Sequence, residues 1–171
     1  ATLLETASPP EMINIIETYK ATICFTSPTA YRVMLNAMDE GADLSSLRIA
    51  VSAGETLPAP VFNDWQAKTG KTMLDGIGAT EMLHIFMSNR IDDARPACTG
   101  KPITGYQAKV VDEQMQEMAR GEVGKLAVRG PTGCRYLNDA RQTNYVVDGW
   151  NLTGDAFYQD EEGYFNFAAR T

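Results

Sequence analysis

Three short apolar runs, Ala21 to Thr26, Leu47 to Ser52 and Thr72 to Leu74, are separated by segments whose apolar residues recur at helical spacing. This alternation limits the fold more than any other feature. A chain that passes from strand to helix to strand builds a parallel sheet with helices on its faces. Ser8-Pro9-Pro10-Glu11 supplies a helix start, with a capping hydroxyl, proline in the first turn and a glutamate at the third helical position. Met12, Ile15, Ile16 and Tyr19 then form its apolar face. Ser27-Pro28 opens a second helix, with Tyr31, Met34, Leu35 and Met38 on one side and Gly41 and Asp43 at its end. Pro58 to Gly70 forms a third, presenting Val61, Phe62 and Trp65 to a core. Ligands of parallel sheets bind beyond the carboxyl ends of the strands. Ala53-Gly54-Glu55 and the glycine-rich turn Asp75-Gly76-Ile77-Gly78 fall at that edge, and the turn leads into a helix carrying Glu81 and His84.

After Gly105 the pattern changes. Tyr106 to Val111, Lys125 to Arg129, Trp150 to Tyr158 and Tyr164 to Ala169 read as strands. Asp112-Glu113, Gly121-Glu122-Val123-Gly124 and Asp160-Glu161-Glu162-Gly163 supply turns between them. The expected organisation is an α/β subdomain over residues 1–104 and a β-rich lobe, a meander or partial barrel, over residues 105–171.

A net charge of −7 over 171 residues argues against a nucleic-acid backbone or an anionic membrane as the main partner. Backbone N–H groups can still hold a phosphate locally. Cys24, Cys98 and Cys134 are widely spaced and include no CxxC, which fits neither a disulfide framework nor a zinc site. A reducing cytoplasm is therefore the expectation. No apolar run is long enough for a membrane span, and Ala1 to Ser8 lacks the features of a signal peptide. The absence of an initiator methionine and the stop at Arg170-Thr171 read as the ends of an internal segment.

Two familiar phosphate motifs fail. Gly70-Lys71-Thr72 resembles the end of a Walker A loop, but Trp65 stands where its first glycine belongs. Gly76-Ile77-Gly78-Ala79-Thr80-Glu81 resembles a dinucleotide fingerprint, but ends in Glu81 instead of glycine. Two glycines after a strand still let backbone approach a ligand closely. A threonine hydroxyl beside a carboxylate suits a phosphate with Mg²⁺. An ordinary turn with Glu81 set against a helix dipole accounts for the same residues, and local physics leaves both readings open. Trp65 and Trp150 read as core. Asp160-Glu161-Glu162 reads as a solvated turn, and Arg90, Asp92, Asp93 and Arg95 as surface charge.

Gly78-Ala79-Thr80-Glu81 after a strand resembles the core motif of the adenylate-forming (AMP-binding) superfamily, and Asp75 to Asn89 is most similar to its benzoate/2-aminobenzoate-CoA ligases. Ser52 to Pro58 resembles the upstream adenine-side loop of that subgroup. Gly100-Lys101-Pro102, Gly121 to Gly124 and Arg129-Gly130 match further landmarks. Trp150-Asn151-Leu152-Thr153-Gly154-Asp155 resembles the ribose motif, and Ala169-Arg170-Thr171 the start of the hinge motif. The order of these motifs is more specific than any one of them.

The resemblance implies an internal part of an acyl-CoA synthetase-like N-terminal domain, ending at the hinge to a C-terminal domain. It implies that Gly54, Glu55, Thr56, Asp75, Gly76 and Ile77 line the adenine side. Many relatives carry an aromatic residue where Ile77 stands. It further implies that Thr80 contacts the α-phosphate, Glu81 coordinates Mg²⁺, Asp155 accepts from both ribose hydroxyls and Arg170 adds a ribose contact. Gly78, His84 and Ile85 would line the aryl pocket. A lone histidine is more often packed or at the surface than functional; only the resemblance sets His84 beside the ring. The implied reaction joins an aromatic carboxylic acid to CoA at the expense of ATP, through an acyl-adenylate, and the resemblance allows a homodimer. The family's lysine-bearing phosphate loop and its C-terminal lysine are absent from this stretch, so it is expected to be inactive alone. Another acyl or amino acid, or a non-catalytic nucleotide-binding or scaffold module, stays open as an alternative.

Overall fold

A computed structural model of the chain describes residues 8–140 and 142–170. The expectations for the first seven residues and for Thr171 of the hinge-like motif lie outside the described residues. The chain divides into two compact units: one runs up to Asp75 and takes in Arg90–Ala97, and the other holds Gly76–Asn89 and Cys98 onward.

In the first unit α1 (Pro9–Tyr19), β1 (Ile23–Thr26), α2 (Pro28–Ala37), β2 (Ile49–Ser52) and α3 (Ala59–Thr69) alternate, followed by the first half of β3 (Met73–Gly78). β1, β2 and β3 pair in parallel, with Cys24 opposite Ala50 and Ala50 opposite Met73. The expected capping box closes α1: the Glu11 N–H donates to Ser8 Oγ, and Ser8 N–H donates to Glu11 Oε2 at 3.0 Å. Gly70 ends α3 in the left-handed region, at φ 67°.

Tyr31, Met34, Leu47, Ala50, Trp65 and Met73 are fully buried in this unit's core. Tyr31 packs edge-on to Trp65, with ring centroids 4.9 Å apart. Its hydroxyl proton is shared between the carbonyls of Cys24 (2.8 Å) and Val51 (3.0 Å). One side chain of α2 thereby ties that helix to both β1 and β2.

Several expected details differ. The buried face of α1 is Ile13 and Ile16, with Met12 packed against the core, while Tyr19 is 63 % exposed in the last turn. β1 buries only Cys24, because alternate residues of a strand face opposite ways. Ile23 and Phe25 lie on the face that the described residues leave uncovered. α2 stops at Ala37, before Gly41, because Met38 turns to an extended conformation and buries its side chain.

The second unit begins in the middle of β3. Its latter half pairs antiparallel with β4 (Ile85–Ser88), which pairs with β5 (Lys101–Pro102). Then come β6 (Gln107–Val111), β7 (Gly124–Arg129), α4 (Gln142–Tyr145), β8 (Val146–Val147), β9 (Trp150–Gln159) and β10 (Phe165–Arg170). They form a curled antiparallel half-barrel in the order β10-β9-β7-β6, with β8 on β9. Register shifts at Lys125/Ala127 and Phe167/Ala169 bend it, as bulges do. Met82, Phe86, Met87, Leu126, Phe157 and Phe165 fill its core.

The mixed α/β class is as expected. The boundary differs from residue 104: the strand–turn–strand around Thr80 belongs with the β-rich unit. Asp75 to Gly78 is strand, not turn, and no helix follows it; a single 3₁₀ turn, Thr80–Met82, leads through Leu83 (φ 70°) to β4. Gly76 and Gly78 do not adopt positive φ. They are small because β4 lies close, not because the chain reverses there. Trp65 is core as expected; Trp150 is half-buried, with the Lys109 and Arg129 cations each 4.6 Å from its ring centroid.

Burial first, and the neighbouring Cys24 second, push the Tyr31 phenol far above its ordinary pKa. The folded state holds this proton more tightly than the unfolded chain does. The contribution is therefore complete below the unfolded phenol's pKa of about 10 and is lost as pH rises past it. Tyr31→Phe is expected to cost about 1–3 kcal/mol at neutral pH, where it strips one buried and one half-buried carbonyl of this donor. It should also flatten the fall in stability above about pH 10, as read by urea unfolding across that range. A variant as stable as the parent at neutral pH would contradict this account.

Candidate functional site

The first unit carries Gly54, Glu55, Thr56 and Asp75. Gly54 follows β2 with φ 89°, a conformation glycine adopts without strain. Glu55 is exposed, and its Oε2 accepts from Thr29 Oγ1 at 2.6 Å. Thr56 is exposed. Asp75 is 6 % exposed and lies midway along β3, in register with Ser52 at the carboxyl end of β2. Ser52 is fully buried, and its hydroxyl has no hydrogen-bond partner among the described residues.

The second unit carries Gly76, Ile77, Gly78, Thr80, Glu81, His84, Ile85, Asp155 and Arg170. Gly78 pairs with Ile85, and a Cβ there would sit 2.6 Å from the His84 carbonyl oxygen and 2.9 Å from Ile85 N. Both obstacles are backbone, so nothing can swing aside. At Gly76 a Cβ would lie 2.9 Å from Ile85 Cδ1. Ile77 packs against the second unit's core. This close approach draws β3 and β4 together and leaves Thr80–Met82 as a tight connection between them. Thr80 and His84 are exposed on it, and Glu81 is half-buried. His84 thus shares a tight loop with Glu81, where sequence periodicity implied a helix.

A segment that sequence reasoning passed over holds this turn. Thr132 Oγ1 donates to the Met82 carbonyl at 2.8 Å. That uses the threonine's only proton, so the Tyr106 hydroxyl, 2.5 Å away, must donate to Thr132. Tyr136 Oη donates to Glu81 Oε1. Tyr136 in turn packs edge-on to Tyr145, centroids 5.8 Å apart, and its N–H donates to Gln142 Oε1 at 2.7 Å. The Tyr145 hydroxyl is buried and has no hydrogen-bond partner among the described residues. Its burial and, after that, the Glu81 charge push its phenol pKa up. No spacing rule signals the contacts to Met82 and Glu81, because they join residues fifty or more positions apart.

Asp155 and Arg170, each expected at the ribose, lie beside one another. They are register partners on β9 and β10, and Arg170 Nη1 donates to Asp155 Oδ1 at 2.9 Å. Asp155 is 6 % exposed, whereas the Arg170 side chain is 79 % exposed. No hydrogen bond or ion pair joins Asp155 to Thr80 or Glu81 among the described residues.

Glu81 is the one carboxylate beside Thr80, and no group of three metal-ligating side chains exists among the described residues. Mg²⁺ fits such a site, since it keeps its waters and takes one or two carboxylates together with phosphate oxygens. Glu81 Oε2 accepts no hydrogen bond among the described residues.

An α/β unit followed by a half-barrel, with a Gly-Ala-Thr-Glu connection between β3 and β4, defines an acyl-CoA synthetase-like N-terminal domain. The profile of the family described as AMP-binding enzyme matches residues 2–136, and the chain belongs to that family. It is 37 % identical to the benzoate–CoA ligase of Thauera aromatica, over 99 % of this chain and 33 % of that protein. It is 35 % identical to the anthranilate–CoA ligase of Pseudomonas aeruginosa, over 95 % of this chain and 32 % of that one. A crystal structure of an anthranilate CoA ligase in complex with anthranoyl-AMP superimposes with a TM-score of 0.91 at 38 % identity, covering 98 % of this chain and 33 % of that one. The chain thus spans about a third of the length of the relatives it matches.

The close approach at Gly78 is testable. Gly78→Ala is expected to destabilise the second unit by about 1–3 kcal/mol, as overpacking does. Gly41→Ala, where no atom lies within 4 Å of the added carbon, should stay within about 0.5 kcal/mol of the parent. Equal denaturation midpoints for the two variants would refute the packing argument.

Proposed function

We propose that this chain is part of an ATP-dependent aryl-acid:CoA ligase acting on benzoate or 2-aminobenzoate. In that reading the acid and ATP give an acyl-adenylate and pyrophosphate, and the CoA thiol then displaces AMP. The observation that carries it is the β3–β4 connection, where Thr80, Glu81 and His84 stand together in a chain similar to benzoate and anthranilate ligases.

The proposed roles follow from the chemistry of each group. Gly54, Glu55, Thr56, Asp75, Gly76 and Ile77 take the adenine side. Ile77 offers an aliphatic face, and Gly54 allows close backbone approach. Asp155 takes the ribose hydroxyls: Arg170 occupies Oδ1, and Oδ2 accepts no hydrogen bond among the described residues. Arg170 pairs with this buried carboxylate and itself reaches the ribose. Thr80 donates to the α-phosphate, and Glu81 holds Mg²⁺. When bound, Mg²⁺ would neutralise charge gathering on the phosphate oxygens. Gly78, His84 and Ile85 line the ring of the acid. Positioning and electrostatic stabilisation account for most of such a reaction. A cytoplasmic setting and a role in breaking down aromatic compounds belong to the same proposal; the three free thiols are in keeping with a reducing compartment.

In the full-length protein, pyrophosphate release should depend on benzoate or 2-aminobenzoate. Dependence on a fatty or amino acid alone would overturn the substrate class, and no release with any carboxylate would overturn the enzyme assignment. His84→Ala is expected to raise KM for the aromatic acid about tenfold, and an unchanged KM would point to a different acid. Asp155→Ala should raise KM for ATP by about tenfold or more, through loss of charge-assisted hydrogen bonds. An unchanged KM for ATP would remove Asp155 from the site.

A further inference from the structure

The hydrogen bond from Tyr136 to Glu81 has no part in the roles above. It joins the segment after β7 to the centre of the Thr80–Met82 turn. Thr132 grips the next residue of the same turn through the Met82 carbonyl. Glu81 is thus held from its side chain, and its neighbour from the backbone, by residues four apart on one segment. The segment is itself fixed at both ends. Gly130 gives the Tyr106 ring room, since a Cβ there would lie 2.4 Å from Tyr106 Cδ1, and Tyr106 braces Thr132. At the other end Gln142 holds the Tyr136 backbone, and Tyr145 packs edge-on against its ring.

A glutamate side chain has three rotatable bonds, and an unrestrained one spends little time in any single geometry. A hydroxyl donated to one oxygen restricts the rotation of the carboxylate and leaves the other oxygen available to a ligand. This is the arrangement by which outer groups orient a metal-ligating carboxylate. We propose that Tyr136 is a positioning residue for Mg²⁺: its hydroxyl holds Glu81 Oε1 so that Oε2 faces the nucleotide-bound metal. The inference rests on Glu81 being the metal ligand, as proposed above. Tyr136 does not touch the metal or the substrate.

The test uses the full-length protein with a non-hydrolysable ATP analogue and Mn²⁺ as a spin probe in place of Mg²⁺, with binding read by electron paramagnetic resonance. Tyr136→Phe keeps the ring and its contact with Tyr145 but removes the hydroxyl. It is expected to raise the Mn²⁺ Kd about tenfold, the lower end of the usual effect of losing such a partner. The Mg²⁺ concentration for half-maximal pyrophosphate release should rise in step, while kcat at saturating Mg²⁺ changes less. Tyr145→Phe, which removes a hydroxyl without a partner among the described residues, should leave the Mn²⁺ Kd in place. Glu81→Gln separates the two layers of the argument. If it raises the Mn²⁺ Kd and Tyr136→Phe does not, Tyr136 has no positioning role and the Glu81 assignment stands. If Glu81→Gln has no effect, the metal assignment falls and the inference falls with it. An equal rise in Tyr136→Phe and Tyr145→Phe would trace the effect to loosening of the segment and would also overturn the proposal.

Discussion

The approach of two backbones at Gly78 is the constraint on which the candidate site depends. With no Cβ between them, β3 and β4 pair directly, and Gly78 lies opposite Ile85. The chain must then cross from one strand to the other in a few residues. That forces Thr80–Met82 into a single 3₁₀ turn and Leu83 into positive φ. Thr80 and His84 are exposed as a result, and Glu81 comes within reach of Tyr136. A side chain at Gly78 would meet only backbone, so the cost could not be relieved by rotamer changes.

Each unit has its own organising contact. In the α/β unit it is Tyr31, whose hydroxyl serves carbonyls of two neighbouring strands while its ring meets Trp65. In the β-rich unit the turn is gripped twice by the segment that carries Thr132 and Tyr136. Polar groups in both places are satisfied by partners on other elements of the same unit, which makes their geometry specific and their loss costly. Asp155 is held in a simpler way, by an arginine directly across a strand pair.

Much of this was legible in the sequence. Helix starts at Ser8 and Ser27 and the helix end at Gly70 are set by local chemistry, and each lies within a residue or two of its expected place. The four longer strands of the half-barrel follow from alternation between strong turns. The errors cluster where tertiary contact overrides local preference. Asp75 to Gly78 reads as a turn because glycine permits one, yet here glycine serves close packing within a strand. Met82 to Phe86 has no alternation to mark the change from 3₁₀ turn to strand. Lys101–Pro102 and Val146–Val147 are too short for any periodicity to show. Asp155 and Arg170 were each singled out through motif order, though not as partners of one another; Tyr136 on Glu81 was not legible, because no local pattern encodes a contact at that separation.

We propose that nucleotide is held by Thr80 and Glu81 on the β3–β4 connection and by Asp155 on β9. The most direct test is a crystal structure of the full-length protein grown with AMP. Both ribose hydroxyls are expected within hydrogen-bonding distance of the Asp155 carboxylate, and the α-phosphate against Thr80 Oγ1. AMP bound elsewhere, with Asp155 still paired only to Arg170, would contradict it.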